Sequence, residues 1–158
     1  MAERASARRR KLLSLGRWLL INHGTNDIAN SRTLVQVQAA LTTIITMARA
    51  RGMKIALETM IPRTTSSDAW ATVANQTLPA YESVRLAFNT WVRTGAGGLV
   101  DLVVDTAATI DSGLVASAAA TGKWRPAGAT GPYTADGVHP ATIGHIAMAT
   151  AINPTLFV

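Results

Sequence analysis

The sequence predicts an α/β fold built around a parallel sheet, and three observations lead to this prediction. Apolar runs of strand length alternate with stretches whose apolar residues recur at the three- and four-residue steps of amphipathic helices. These helical stretches are long enough to cross over between parallel strands. Glycine or proline marks most of the boundaries. We therefore expect right-handed crossovers, with the loops that follow the strands gathered at one edge of the sheet.

The composition limits the class of protein. The chain has 158 residues, of which 48% are hydrophobic and 15% are charged, which is typical of a folded globular protein. We expect residues 1–158 to form a single domain. No apolar run approaches the roughly 20 residues that a membrane-spanning helix needs. The sequence contains no cysteine, which excludes disulfides, thiolate metal ligands and a cysteine nucleophile, and it leaves the cellular compartment open.

The first predicted element is a basic helix over residues 3–15, which Gly16 ends. The run Arg-Arg-Arg-Lys at residues 8–11 supplies much of the formal net charge of +6. Such a cluster is typical of contacts with nucleic acid or an anionic membrane surface. No aromatic residue is interleaved with it, so we interpret the cluster as a solvated helix face. Nucleic acid is therefore not the expected partner, although a nucleic-acid-binding module stays an alternative.

A strand and a long amphipathic helix form the first α/β unit. Residues 18–22 contain an uninterrupted apolar run, which predicts a buried strand. Residues 31–51 carry apolar residues on one side of a helix. Ser31 is expected to cap this helix and Gly52 to end it. The apolar stripe comprises Leu34, Val37, Leu41, either Ile44 or Ile45, and Ala48.

A second unit follows the same pattern. Residues 53–61 are predicted to form a strand buried on both faces, which Pro62 closes. The polar residues 63–68 then form a loop on the edge of the sheet where ligands bind. Residues 79–93 are predicted to form a helix. Its apolar side comprises Tyr81, Val84, Phe88 and either Trp91 or Val92.

The last third of the chain has weaker signals. A glycine-rich turn precedes a third predicted strand at residues 99–106. Residues 111–135 have no clean period, and a loop of that length in a compact domain is usually functional or mobile. Trp124 and Tyr133 in this loop are candidate pocket walls, although each can as easily belong to the core. A last helix is predicted over residues 141–152, with Ile143, Ile146, Ala147 and Ala151 facing inward.

An aspartate and a histidine in a polar segment suggest acid–base chemistry. Asp136 precedes His139 by three residues. A carboxylate at that spacing can hold the imidazole in one tautomer and leave its other nitrogen free as a base. The pair would then supply two of the three members of a nucleophilic triad. The alternative is a solvated turn, because Asp-Gly is a common turn dipeptide.

A second polar segment comes directly after the first predicted strand. It contains Gly24 and Asn26, at the edge where parallel sheets bind their ligands. The amide N–H of Asn26 could be aimed at a developing oxyanion, and Gly24 would let the backbone turn sharply. Such segments also bind phosphate or simply cap helices, and those two alternatives stay open.

Taken together, the two segments resemble the SGNH (GDSL-type) hydrolase family. Gly24, Asn26 and Asp27 fit the third sequence block of that family. Asp136 and His139 fit its last block, including the neighbouring glycine and proline. The resemblance implies a flavodoxin-like three-layer α/β/α sandwich. It also implies an ester hydrolase that acts on small-molecule, carbohydrate or lipid esters.

The resemblance also implies roles for individual residues. His139 would act as the general base that deprotonates a serine, and Asp136 would orient it. Asn26 would donate to the oxyanion, and Gly24 would shape the loop that carries it. Asp27 would be structural, and Asn89 stands where family members commonly carry an asparagine. The resemblance implies no cofactor and no metal ion.

The sequence departs from the family pattern at the first two blocks. Neither the Gly-Asp-Ser block that carries the nucleophile nor the glycine of the second block occurs before Gly24. We therefore expect a domain that is truncated at its N-terminus and whose nucleophilic serine is absent from this chain. Ser66 and Ser67, in the loop at residues 63–68, are the alternative nucleophiles. The incomplete sheet would expose the strand at residues 18–22, which predicts possible self-association through the sheet edge.

Two other functions compete with hydrolysis. The chain could be a non-catalytic α/β remnant that binds a ligand or a partner protein at the same edge of the sheet. A metal site is a minor further alternative, because the residue types permit it while no ligand spacing demands it. Its four candidate ligands are His23, Asp27, Asp136 and His139.

Overall fold

The computed structural model describes residues 18–157, so the predicted basic helix at residues 3–15 lies outside the described residues. The predicted parallel sheet is confirmed. Its strands are β1 (Trp18–Ile21), β2 (Lys54–Glu58) and β5 (Leu102–Val104), arranged in the order β1-β2-β5. Both pairings are parallel, as the helical crossovers predict. Each strand is shorter than the apolar run that predicted it.

The central strand β2 carries the middle of the core. Leu57 is paired with Ile21 on one side and with Val103 on the other. Ile55, Ala56 and Leu57 are fully buried. Burial of consecutive residues means that both faces of the strand are covered, as the continuous apolar run predicted.

The first crossover contains two helices rather than one. The short helix α1 (Thr25–Ala29) begins directly after Gly24, where the sequence predicted a loop. The long helix α2 (Leu34–Arg49) begins three residues later than predicted. Thr33 caps it in place of Ser31, because Thr33 and Gln36 exchange the two hydrogen bonds of a capping box.

Two long helices pack their predicted apolar faces on the sheet. In α2 the buried residues are Val37, Leu41, Ile45 and Ala48. Ile44 is 40% exposed, so Ile45 belongs to the stripe. In α3 (Glu82–Arg93), Phe88 and Val92 are fully buried. Both helices therefore contribute to one core, in which they also contact each other.

The connection between β2 and α3 contains a small hairpin that the sequence did not predict. Its strands are β3 (Thr65–Ser66) and β4 (Gln76–Thr77), which pair antiparallel. A 3₁₀ turn at Ala96–Gly98 then leads from α3 towards β5. Strand β3 lies in the segment 63–68 that was predicted to be an active-edge loop, so the hairpin shapes the surface near the candidate site.

The weakly patterned segment near the C-terminus contains more structure than predicted. Helix α4 (Ala107–Ile110) precedes this segment, residues 111–135. The segment itself begins with α5 (Ser112–Val115), which Asp111 caps by accepting hydrogen bonds from two backbone N–H groups. Trp124 is fully buried, and its indole N–H donates to the carbonyl of Gly137. Trp124 is therefore a core residue.

The last helix is shorter than the sequence predicted. It is α6 (Thr142–Ala149), and a 3₁₀ turn at Pro154–Phe157 follows it. Ile146 is 59% exposed, so its predicted inward orientation is wrong. The residue that the helix buries is Gly144, where a Cβ would collide with the carbonyl oxygen of Tyr133. Because Gly144 lets the backbone of α6 approach that of Tyr133 closely, the helix can pack while it buries few apolar side chains.

Strand β1 lies at the edge of the sheet in the part of the chain that the structure describes. Leu20 on this strand is 42% exposed. Self-association through this edge stays a prediction. None of the helices between residues 18 and 157 is both long enough and apolar enough to cross a bilayer.

Side chains of α3 hold the chain where it leaves β2. The side-chain oxygen of Asn89 accepts from the backbone N–H of Met60 at 2.7 Å, and its amide donates to the Met60 carbonyl at 2.8 Å. Arg85 donates to the same carbonyl at 2.6 Å. Asn89 and Arg85 are both buried, so these bonds satisfy peptide groups that water cannot reach. The exit of β2 is therefore fixed to α3.

We expect Asn89→Ala to lower the free energy of unfolding by about 2–3 kcal/mol. The substitution leaves the buried N–H of Met60 without a hydrogen-bond partner, and an unsatisfied buried donor is destabilising by that order. Thr90→Ala is the matched control, because Thr90 is exposed on the same helix and bonds to a carbonyl within that helix. Urea unfolding followed by circular dichroism measures both variants. Equal stability of the two would contradict this account of Asn89.

Candidate active site

Asp136 and His139 form a hydrogen-bonded pair, as their spacing predicted. The Nδ1 atom of His139 lies 2.7 Å from Oδ2 of Asp136. The other carboxylate oxygen, Oδ1, accepts from the backbone N–H groups of Val138 at 2.8 Å and His139 at 2.7 Å. The carboxylate is thus fixed by the turn itself. An ionised carboxylate can only accept hydrogen bonds, so Nδ1 carries the proton and Nε2 is left as the basic nitrogen.

The surroundings of Asp136 favour its ionised form. The hydrogen bond from the His139 side chain, followed by those from the backbone N–H groups of His139 and Val138, holds the pKa of Asp136 well below its usual range. The His139 side chain is 79% exposed and that of Asp136 53%. The pair is therefore a fixed anion beside an imidazole whose Nε2 is open to solvent or substrate.

The turn that carries the pair is anchored at Gly137. The carbonyl of Gly137 accepts from the backbone N–H of Thr64 and from the indole N–H of Trp124, both at 3.0 Å. Gly137 has a φ of 74°, and a Cβ there would overlap the Thr64 carbonyl oxygen. Thr134 adds a bond of 2.8 Å from its hydroxyl to the carbonyl of His139. Position 137 therefore requires glycine, which has no Cβ and adopts a positive φ without strain.

Asn26 lies in the first turn of α1, which corrects the prediction of a loop. Gly24 precedes this helix with a φ of 108°, and a Cβ there would collide with the side chain of Met60. The Oδ1 atom of Asn26 accepts from the Arg63 guanidinium at 3.3 Å. The Nδ2 group of Asn26 has no hydrogen-bond partner within residues 18–157. The side chain therefore presents a free donor at the carboxyl end of β1.

A single short segment touches both predicted parts of the site. Arg63 contacts Asn26, and the next residue, Thr64, bonds to the turn between Asp136 and His139. The sequence placed this segment at the correct edge of the sheet. It did not assign a role to Arg63 or Thr64, because contacts between residues far apart in the chain leave no periodic signal.

This segment lines one cavity, and another cavity of the described residues lies beside α1 and α2. The first, of about 280 Å³, lies beside the His139 turn. It is lined by Arg63, Thr64, Thr65, Thr77, Leu78, Pro79, Tyr81, Asp136 and Val138. The second, of about 350 Å³, lies beside α1 and α2, and its polar lining includes His23, Asp27 and Arg32. The carbonyl of Asp27 also accepts from the backbone N–H of Arg32 at 2.9 Å, which joins α1 to the segment before α2.

The alternative nucleophiles have other environments. The Ser66 hydroxyl donates to Asp68 at 2.7 Å and accepts from the backbone N–H of Trp70, so it is engaged within its own loop. Ser67 is exposed. In the described part of the chain, no serine hydroxyl is hydrogen-bonded to His139.

The four candidate metal ligands do not form a cluster. Between residues 18 and 157, no group of three or more histidine, aspartate or glutamate side chains is arranged to hold a metal ion. His23 and Asp27 line one cavity, whereas Asp136 lines the other. These positions do not support a metal site shared by the four residues.

Solved structures resemble this fold. A protein from Bacteroides fragilis designated an acylhydrolase is 23% identical with a TM-score of 0.62, over 85% of this chain and 58% of that chain. A GDSL-like lipase from Bacteroides thetaiotaomicron is 19% identical with the same TM-score, over 85% of this chain and 59% of that chain. The chain thus spans less than two thirds of the length of either protein, and at these identities the likeness supports the α/β/α fold alone.

The sequence itself identifies the family. No curated protein matches the chain. The family model of the GDSL-like lipases and acylhydrolases, however, matches residues 2–147, which is most of the sequence. This match agrees with the resemblance carried by the segments around Asn26 and His139. The chain belongs to the GDSL-like lipase/acylhydrolase family.

Proposed function

We propose that this chain supplies the general base and an oxyanion donor of a serine ester hydrolase. The observation that carries the proposal is the 2.7 Å contact between Nδ1 of His139 and Oδ2 of Asp136, with the opposite carboxylate oxygen fixed by two backbone N–H groups. An imidazole held in this way keeps one tautomer and one orientation. Membership of the family supports an ester as the substrate.

The proposed reaction begins with a serine hydroxyl at Nε2 of His139. The imidazole takes the hydroxyl proton while the serine oxygen attacks the ester carbonyl, and the negative charge of Asp136 stabilises the imidazolium. The carbonyl electrons move to oxygen, towards which Nδ2 of Asn26 donates. Collapse of this intermediate breaks the bond to the alcohol, which leaves with the proton from His139. Water then releases the acid by the same steps, and no cofactor is required.

Gly24 and Arg63 would act on the oxyanion donor rather than on the substrate carbonyl. Gly24 allows α1 to begin directly at the end of β1, which brings Asn26 to the edge of the sheet. Because Oδ1 of Asn26 accepts from Arg63, the amide is turned with its N–H₂ group away from the guanidinium. The nucleophilic serine is not assigned to a position, as Ser66 is engaged with Asp68.

Where the folded chain holds its own nucleophile, a fluorophosphonate probe should label one serine, and His139→Ala should abolish that labelling. Without the base the hydroxyl is not activated, so hydrolysis of p-nitrophenyl acetate should fall by roughly 10³-fold or more. His145→Ala is the matched control, because His145 is an exposed histidine on α6. Intact-mass spectrometry with peptide mapping identifies the adduct, and a release assay for p-nitrophenol gives the rate.

The absence of an adduct would locate the nucleophile, and an adduct that is independent of His139 would contradict the proposal. Folded protein that forms no adduct would mean that Asp136, His139 and Asn26 belong to a site whose serine lies outside this chain, as the missing Gly-Asp-Ser block predicts. An adduct that forms equally well in His139→Ala would show that the reactive hydroxyl does not depend on this base.

We expect the stabilising effect of Asp136 to disappear in acid. Its pKa is depressed in the folded protein, so its contribution is complete above the unfolded value of about 4 and declines as the pH falls below it. The difference in unfolding free energy between the parent chain and Asp136→Asn should therefore shrink with each pH unit below about 4. Urea unfolding at a series of pH values measures this difference. A difference that is unchanged between about pH 5 and pH 2 would contradict the assignment.

A further inference from the structure

The cavity beside the His139 turn is lined by several hydroxyl groups. The hydroxyls of Thr65, Thr77 and Tyr81 line it, and none of them forms a hydrogen bond with another described residue. Leu78 and Val138 supply apolar contacts. A volume of about 280 Å³ fits a short substituent better than a long acyl chain. The lining therefore suits a small, polar group that accepts hydrogen bonds.

The positive charge on the wall of this cavity comes from Arg63. Three other arginines are paired with carboxylates, as Arg49 is with Asp101 at 3.1 Å. Arg63, in contrast, has no carboxylate within 4.0 Å in the segment from residue 18 to 157. Its hydrogen bond is to the neutral amide of Asn26. A guanidinium has five N–H donors in a planar fork that matches carboxylate and phosphate oxygens, so most of its donors are left for a ligand.

The carboxylate that lines the same cavity is not paired with Arg63. Both oxygens of Asp136 are engaged, one with His139 and the other with backbone N–H groups.

We propose that this cavity binds an oxyanion group of the substrate, a carboxylate or a phosphate, and that Arg63 is the residue that selects it. The inference rests on the proposed ester hydrolysis and specifies its substrate class. The substrate is an ester that carries a negative charge on a short spacer. The spacer is short because Arg63 contacts Asn26, which is the proposed donor to the ester carbonyl.

A simpler role for Arg63 is to orient the Asn26 amide. The two roles can be separated, because removal of the positive charge weakens the binding of anionic ligands in particular, whereas a misoriented Asn26 amide does not distinguish anionic from neutral ligands. Arg63→Gln should therefore weaken the binding of anionic ligands more than that of the neutral one. Arg51→Gln is the matched control, since Arg51 is exposed and donates to the carbonyl of Met47.

The test is a titration followed by ¹H–¹⁵N correlation spectra of the full chain, with ligands that the enzyme does not consume. N-methylsuccinamate carries a carboxylate, glycerol 3-phosphate carries a phosphate, and N,N′-dimethylsuccinamide is the neutral analogue. We expect one or both anions to bind about five- to ten-fold more tightly than the neutral analogue. The shifted amides should be those of Thr64, Thr65 and Thr77, and the more tightly bound anion identifies the oxyanion class.

In Arg63→Gln the preference for the anion should be lost, and in Arg51→Gln it should persist. Equal affinity for the anionic and neutral ligands, a preference that survives in Arg63→Gln, or no binding of any ligand would each overturn the proposal. Because the test follows binding, its failure is distinct from failure of the hydrolase proposal. That proposal depends on labelling and on hydrolysis of p-nitrophenyl acetate, a neutral ester.

Discussion

The capture of the Met60 peptide by side chains of α3 is the interaction on which the candidate site depends. Asn89 binds both the N–H and the carbonyl of Met60, and Arg85 adds a second donor to the carbonyl. Arg85 is in turn paired with Glu82 and lies 3.7 Å from Asp111, which caps α5. Breaking one member of such a buried network leaves another polar group unsatisfied, so the network holds β2, α3 and α5 in one arrangement.

The two halves of the site reach each other through the chain that follows Met60. Arg63 contacts Asn26 from one side of the sheet edge, and Thr64 bonds to Gly137 on the other. This explains how His139 can be largely exposed and still be oriented, since its turn is fixed through the backbone rather than through burial of the ring. Rigid support beneath an open functional side chain is the arrangement that catalysis needs.

The sequence predicted the features that depend on residues close together in the chain, and it missed those that depend on residues far apart. The apolar stripe of α2 and the Asp136–His139 pair depend on neighbours three or four residues away, and both were predicted. The capping of α2 by Thr33 rather than Ser31 depends on how α1 ends, which no local pattern records. The burial of Trp124 depends on a bond to Gly137, and the role of Arg63 depends on a contact 37 residues away. Interactions of that kind are set by tertiary packing.

The base half of the candidate site is self-contained. The orientation of His139 requires Asp136, the backbone of the same turn and the anchor at Gly137, and these all lie within the described residues. It does not require the nucleophile, so the imidazole is ready before a hydroxyl approaches Nε2. In the proposed mechanism, a serine at Nε2 of His139 would meet a base of fixed tautomer, and Asn26 would supply the oxyanion donor. The source of that serine decides whether the chain acts alone, while the hydrogen bonds of the turn already fix which imidazole nitrogen is basic.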